Sequence, residues 1–485
     1  MRIKFCLTLL VSLSLVSYAG VVQSQEDQSE AISKEHSEGP GISLTLEEAI
    51  NLALKANRNL IRSASSVESQ RLSLSSVESE FDLKFYPSTG AAFDEDSNTI
   101  KGGISLERKF GIGPRAVVSP TIERSDLDDS GESYSAKTGL SLDIPILRGF
   151  GREVNLDSVR SSEFSVRVSE RSLYVSKVNT VLDTVTSVYN VIEQRKLVEL
   201  HDSLVERLQE HAATARAKEK VGLASPIDVY RAEIRLKDAE DSLTRARENL
   251  RDAKDALKLI LAIPLARRIE VSAPLEYEPV RIDLNDAIGI AFHNRVELEQ
   301  AKDQIREAER RSRVSKHNLL PQLDIAMNYE RFGSSDDFRQ SVELDEDRWT
   351  ISLVSTTDWA RASEKAGYEQ SLISIRTARI DLEARQDEIT REVRRQLDAL
   401  GQDEERIEIR EEQIRQAEGK LALARLKFNH GMADNFDVIE AETELQRSRV
   451  DLLSVRTGYI VGTYNMRAVL GTLVERHGIS LSNES

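Results

Sequence analysis

The chain has 485 residues, of which only ten are proline and one is cysteine, while 31% are charged and the formal net charge is −16. So few helix breakers in so charged a chain favour long helices over a set of compact globules. The acidic balance argues against a nucleic-acid backbone as the main partner, and a single cysteine leaves no disulfide framework.

Arg2 and Lys4 precede an apolar run from Phe5 to Val16. Ser17-Tyr18-Ala19 or Val22-Gln23-Ser24 then offers small residues where a signal peptidase reads, so residues 1–24 are expected to be a signal peptide. The run is too short to cross a bilayer. Cys6 lies inside it, so the exported chain is expected to carry no lipid on cysteine, and its charge becomes −18 once Arg2 and Lys4 are removed. Residues 25–42 are polar, contain Gly39-Pro40-Gly41, and read as a flexible N-terminal segment.

The first ordered element opens with Ser43-Leu44-Thr45-Leu46-Glu47-Glu48, a helix start with a Ser or Thr cap and Glu at hand for a capping box. Leu46, Ala49, Ile50, Ala53 and Leu60 form its apolar face, and that face returns 238 residues later as Leu284, Ala287, Ile288, Ala291 and Leu298.

Between Phe81 and Arg148 the period falls to two. Tyr134, Ala136, Thr138, Leu140, Leu142, Ile144 and Ile146 alternate with Ser135, Lys137, Gly139, Ser141, Asp143 and Pro145, as in a strand with one apolar face. Ile104, Leu106 and Phe110, followed by Ala116, Val118 and Ile122, suggest a further hairpin. Later, Leu323, Ile325, Met327 and Tyr329, then Trp349, Ile351 and Leu353, alternate in the same way across a loop from Gly333 to Asp347. Strand pattern alone fits a soluble sandwich and a membrane barrel equally well. Export, the lack of a long apolar span and strand lengths near the ~9–11 residues of a tilted barrel strand favour the barrel. Tyr86, Tyr134, Tyr329, Phe332 and Trp349 stand near strand ends, where an interfacial girdle belongs. Four to six strands per chain cannot close a barrel, so several copies must contribute.

Arg152–Lys220 and Arg361–Asn429 each run 69 residues without proline. As helices they would each extend about 100 Å at ~1.5 Å per residue. Val178, Val181, Val185, Val188 and Ile192 keep a seam in the first, and Val393, Leu400, Ile407, Ile414, Leu421 and Phe428 keep a seven-residue step in the second. Gly222 and Gly431 supply turns, and Pro226 or Asn435 opens a returning helix. Leu236, Leu243, Leu250 and Leu257 recur every seven residues in the first return, with Ala239, Ala246, Ala253 and Ile260 three residues after each. An offset of 209 carries these leucines to Leu445, Leu452, Tyr459 and Met466, and carries Gly222, Ala224, Asp228, Val229, Ala232 and Glu233 to Gly431, Ala433, Asp437, Val438, Ala441 and Glu442. The chain therefore reads as an internal duplication, with repeats at 43–275 and 276–475 and a C-terminal tail at 476–485.

The duplicated helix-strand-helix plan resembles the outer-membrane efflux (TolC) family. So do Val221-Gly222-Leu223 with Asp228-Val229, His430-Gly431-Met432 with Asp437-Val438, and the closing Leu470-Gly471-Thr472-Leu473. The resemblance implies an α + β membrane protein in which three subunits build a twelve-strand transmembrane β-barrel continued by a periplasmic α-barrel of long antiparallel coiled-coil helices. A homotrimer, outer-membrane lipid, a periplasmic adaptor and an inner-membrane pump are the implied partners. The expected role is a passive exit duct of a tripartite efflux or type I secretion system for small molecules, metal ions or polypeptides. By the same resemblance, Val221, Gly222, Leu223, Gly431 and Met432 are candidates for adaptor docking at the periplasmic tip, though they also serve simply to close turns. Asp437 and Glu440 match the family's acidic aperture pair and Asp228 the acidic partner of its latch, although carboxylates there also suit an ordinary helix start. Phe428 and Ala433 stand where the family prototype has the tyrosine and arginine of its latch, so Asp228 is expected to pair with another base such as Arg425. The hairpin near Ile104 to Ile122 is either an extracellular flap or an addition to the barrel wall.

No catalysis, cofactor or metal site is expected. Gly149-Phe150-Gly151 lacks the third glycine of a dinucleotide loop, and His201, His211, His293, His317 and His430 form no ligand pair at helical spacing. Arg306, Arg310, Arg311, Arg313 and Lys316 read as a solvated face, with contact to lipid phosphates as the sharper option. A periplasmic coiled-coil adaptor or spacer is the alternative. It would share the long hairpins and the signal peptide, but has no need of two copies of amphipathic strands.

Overall fold

The structure is a computed structural model that describes residues 42–94, 97–127, 131–222, 224–430, 432 and 435–475. The expected signal peptide, most of the flexible segment and the C-terminal tail lie outside the described residues. The main elements in chain order are β1 (Ile42–Thr45), α1 (Leu46–Ala56), α2 (Arg58–Glu78), β2 (Lys84–Phe93), β3 (Ser97–Lys109), β4 (Arg115–Leu127), β5 (Gly131–Pro145), α3 (Asp157–Lys220) and α4 (Pro226–Ile260). They continue with β6 (Ile269–Ser272), α5 (Leu284–Asn294), α6 (Val296–His317), β7 (Asp324–Ser335), β8 (Glu346–Val354), α7 (Ala362–Asn429) and α8 (Asn435–Val469). No helix among the described residues is long and apolar enough to cross a membrane.

Contacts group these elements into two units. The first holds residues up to Arg58, Thr180–Pro279 and Leu400–Tyr464; the second holds Asn59–Asn179, Val280–Ala399 and the chain from Asn465.

In the first unit β1 pairs in parallel with β6, and the helices pack along the heptad positions. Ala239, Leu243, Ala246, Ala253 and Leu257 are buried, as are Val455, the repeat counterpart of Ala246, and Leu445 and Tyr459, the counterparts of Leu236 and Leu250. Alanine at alternate seam positions lets the helices approach closely, with leucine filling the holes between. Thr45 and Glu48 close a reciprocal capping box at the head of α1. α1 ends at Asn57, whose extended backbone stops it and whose side-chain amide donates 2.9 Å to the carbonyl of Ile260, the last residue of α4.

The second unit repeats this joint with different chemistry. Arg295 takes the place of Asn57, 238 residues on, and donates 3.2 Å to the carbonyl of Val469, which follows Ile260 by 209. A guanidinium also reaches Glu297 and, at 3.0 Å, Glu392, so the joint becomes a small ion network. The turn after each returning helix needs a left-handed residue: Ala262 has φ 54° and Gly471 has φ 71°. A Cβ on Gly471 would lie 2.9 Å from Asn294 Cβ as well as straining the backbone. Gly471→Ala is therefore expected to lower stability by about 1–2 kcal/mol or more, while Ala262→Gly is expected to be neutral or stabilising. Thermal unfolding followed by circular dichroism checks the order of the two variants, and the reverse order would contradict this account.

The basic run on α6 is a solvated face at Arg306, Arg311, Arg313 and Lys316, and Arg310 is the exception. Arg310 is buried between Glu307 of its own helix and Asp157 at the head of α3, Arg306 pairs with Asp303, and Arg313 reaches Glu153 at 2.5 Å. These guanidiniums bind the chain's own carboxylates. Gly149 and Gly151 form a joint between strand and helix, with φ of 88° and 108°. The Gly149 N–H donates to His317 Nε2 at 3.2 Å, and the Asn155 amide caps the carbonyls of both glycines.

Six strands of the second unit make one antiparallel meander in the order β2-β3-β4-β5-β7-β8. Its register sorts side chains by face across the middle of the sheet, while Arg124 with Glu132 and Arg331 opposite Asp347 lie on the apolar side near one end. Phe85, Leu106, Val118, Leu140, Tyr329 and Trp349 are consecutive partners and form one apolar row across all six strands. The opposite face carries the ion pairs Lys101–Glu123 at 3.0 Å, Arg115–Glu107 at 2.8 Å and Lys137–Glu330 at 2.6 Å. The apolar residues are not covered by this chain: Trp349, Ile351 and Leu353 are each at least 60% exposed. The expected aromatic girdle divides by the same register. Tyr134, Tyr329 and Trp349 share the apolar face, whereas Tyr86 and Phe332 lie on the charged one, because side chains of a strand alternate and a single-residue offset reverses the face.

Candidate functional site

The turns between the long helices lie in the first unit, and the described part of the first is built by local rules. α3 ends at Lys220, and Gly222 follows with φ 75°, a conformation glycine adopts without a Cβ penalty; its N–H donates 2.9 Å to the Glu219 carbonyl. Ser225 caps α4, Pro226 supplies a preset φ at the first helical position, and Asp228 completes a capping box by accepting from the Ser225 N–H at 3.1 Å. Val221 is 69% exposed and Met432 is 70% exposed. Leu223, Gly431 and Ala433 lie outside the described residues.

The carboxylates singled out from the sequence have different surroundings. Asp228 is held by its own helix start, beside a groove of about 320 Å³ that Arg231, Arg235, Phe436 and Ile439 also line. Asp437 and Glu440 are exposed on the first turns of α8. Glu440 shares Lys420 of α7 with Glu444, at 3.5 and 2.6 Å. The hydrogen bond to Glu444 holds the Lys420 ammonium above the usual lysine range, so a cation stands within the acidic group.

Arg425 does not partner Asp228; it binds Glu442 of α8, two residues beyond Glu440, and so does Arg207 of α3, Nε to Oε2 at 2.7 Å. His211 stands 3.9 Å from the same carboxylate, whose side chain is fully buried. Burial works to raise the Glu442 carboxyl, but nearby His211 and the hydrogen bonds from Arg425 and Arg207 outweigh it and bring the group down to about 2. Glu442 therefore ties α3, α7 and α8 together. Lys218 adds a second tie from α3 to α7, its ammonium 3.5 Å from the centre of the Phe428 ring. Phe428, read from the sequence as the loss of a polar latch residue, thus keeps a polar partner through its ring face.

Neither tie was foreseen. One clue was present, because the offset of 209 relates Arg425 and Glu442 to Arg216 and Glu233, which also pair, at 2.6 Å. Both members of the first-repeat pair are exposed, whereas in the second the carboxylate is fully buried and Arg425 stays half exposed. Arg207 makes the difference, and its counterpart position in the second repeat is the neutral Gln416.

The first unit thus holds long paired helices with an ion-clamped turn, and the second holds an open sheet with an apolar and a charged face. The model of outer membrane efflux proteins matches residues 115–262 and 287–472. The chain belongs to the outer membrane efflux protein family. No curated protein sequence matches it. Among solved structures, this efflux protein is similar in fold to the Campylobacter jejuni CmeC outer membrane channel, with 15% identity, TM-score 0.70, and 89% of this chain and 87% of that one covered. It is also similar to the open state of the Neisseria gonorrhoeae MtrE outer membrane channel, with 14% identity, TM-score 0.68, and 88% and 89% covered. A third likeness is to the Vibrio cholerae outer membrane protein VceC, with 12% identity, TM-score 0.67, and 88% and 96% covered. Its helix-rich α + β fold is thus that of TolC-family channels.

Proposed function

We propose that three copies of this efflux protein close a transmembrane barrel from their sheets, and that the long helices continue it as a water-filled exit duct into the periplasm. The observation that carries this reading is the sheet: six strands, apolar on one face and charged on the other, fall short of the ~8 strands of the smallest membrane barrel. Bare edges on β2 and β8 would each require a neighbouring copy. The energy for transport would come from an inner-membrane pump through a periplasmic adaptor. Exposed Val221 and Met432, with Gly222, Leu223 and Gly431, would form the docking tip. No cargo class follows from the residues.

Membrane fractionation followed by sizing of the detergent-extracted protein tests the assembly. An outer-membrane trimer is expected; a soluble periplasmic monomer would support the adaptor or spacer reading instead. For the tip, Asp437 and Glu440 would gather three carboxylate pairs about a narrow axis and attract cations. Alanine at both is expected to raise leak or weaken block by divalent cations. Unchanged conductance in planar bilayers would remove these two residues from the aperture.

A further inference from the structure

Four strands from each of three subunits make the twelve-strand barrel that the family resemblance implies, and this chain has six in one sheet. The surplus is the β3–β4 hairpin. It is not appended at a margin, because β2 pairs with β3 and β4 pairs with β5, so the hairpin occupies the middle of the meander. β2 and β5 run antiparallel to each other, and without β3 and β4 they would simply meet as neighbours.

Three observations place the hairpin in the wall rather than above it. Its strands are 13 residues each, longer than the ~9–11 residues a tilted strand needs to cross the hydrocarbon. Leu106 and Val118 continue the apolar row between Phe85 and Leu140, while Lys101–Glu123 and Arg115–Glu107 continue the charged face, so the hairpin obeys the same two-sided rule as its neighbours. The turn joining β3 to β4 is anchored at the strand-to-helix joint: Ile112 accepts from the Gly151 N–H at 2.9 Å, and Lys109 pairs with Glu80 at 3.4 Å. A Cβ at Gly113, where φ is 121°, would lie 2.7 Å from the Gly149 carbonyl, so the turn sits close against that joint. An extracellular flap needs neither an apolar face in register with a membrane wall nor an anchored base.

We propose that β3 and β4 are staves of the barrel. Each copy then supplies six strands, and three copies close an eighteen-stranded barrel by pairing β8 of one copy with β2 of the next; the inference rests on the trimeric barrel reading above. Barrel diameter grows nearly in proportion to strand number, so the outer-membrane opening is about half as wide again as a twelve-stranded one. The strand region is then too wide to select cargo, and sieving falls to the helical part of the duct.

Single cysteines in a Cys6→Ser background test this, since the chain has no other cysteine. Val118→Cys and Thr121→Cys probe opposite faces of the hairpin, and Leu140→Cys and Ser141→Cys probe opposite faces of β5. The reagent is a membrane-impermeant maleimide applied to the protein in lipid vesicles. Thr121→Cys and Ser141→Cys are expected to label, and Val118→Cys and Leu140→Cys to label roughly tenfold or more slowly, because acyl chains exclude an aqueous probe. Fast labelling at Val118→Cys with Leu140→Cys still protected would put the hairpin outside the wall and overturn the eighteen-strand barrel alone. Fast labelling at Leu140→Cys as well would overturn the membrane barrel itself.

Discussion

Replacing Glu442 with alanine is expected to destabilise the first unit by about 3 kcal/mol, the equivalent of the distance between the carboxyl's ordinary range and its value in the fold. The variant removes the buried carboxylate that Arg207 and Arg425 share, so both guanidiniums lose their common partner and face one another. pH separates this cause from lost packing. The folded value of about 2 lies below the reference of 4.5, so the contribution is whole above about pH 4.5 and disappears as pH falls towards 2. Chemical unfolding of the wild type and of Glu442→Gln should therefore converge through that window. A difference that stayed constant with pH would mean that shape, not charge, accounts for it. Arg207 and Lys218 both fasten α3 to the α7–α8 hairpin within one chain. The neutral Gln416 at the repeat-related place leaves no matching cation on α7.

Arginine in place of Leu140 is expected to abolish outer-membrane assembly, whereas arginine in place of Ser141 is expected to be tolerated. The two positions are neighbours in β5 and face opposite sides of the sheet. An arginine on the lipid face near the bilayer midplane costs about 2–4 kcal/mol per copy, and a trimer bears the cost three times over. On the charged face the same side chain joins Lys137, Glu330 and Arg115 in a polar setting. Heat-modifiable trimer in the outer-membrane fraction is the readout. Equal yields from the two variants would mean that the apolar face is covered by protein rather than by lipid.

Much of the fold was legible before the structure. The period-two run from Tyr134 to Ile144 located β5 and its apolar face, because a strand half in contact with an apolar phase must alternate. The seven-residue step from Val393 to Leu421 located the buried seam of α7, because a long helix against a partner buries one stripe. Both fixed offsets reappear as physical joints, at Asn57 and Arg295 and at the carbonyls of Ile260 and Val469. The polar contacts were harder. Arg310 read as part of a solvated basic run because nothing local shows that Asp157, more than a hundred residues away, sits against it.

The sequence by itself determined the periodic features: the strands and their faces, the long helices and their seams, the turn at Gly222, and the duplication. Each follows from covalent geometry and the repeat of side-chain direction along a single element, which neighbours in sequence already encode. Only the tertiary structure decided which charges meet. It buried Glu442 among Arg207, Arg425 and His211, left the related Glu233 exposed with Arg216, and set β3 and β4 inside the sheet rather than above it. Those outcomes depend on which elements pack against one another across long sequence separations, and the free energy of a charge is set by that surrounding rather than by its place in the chain.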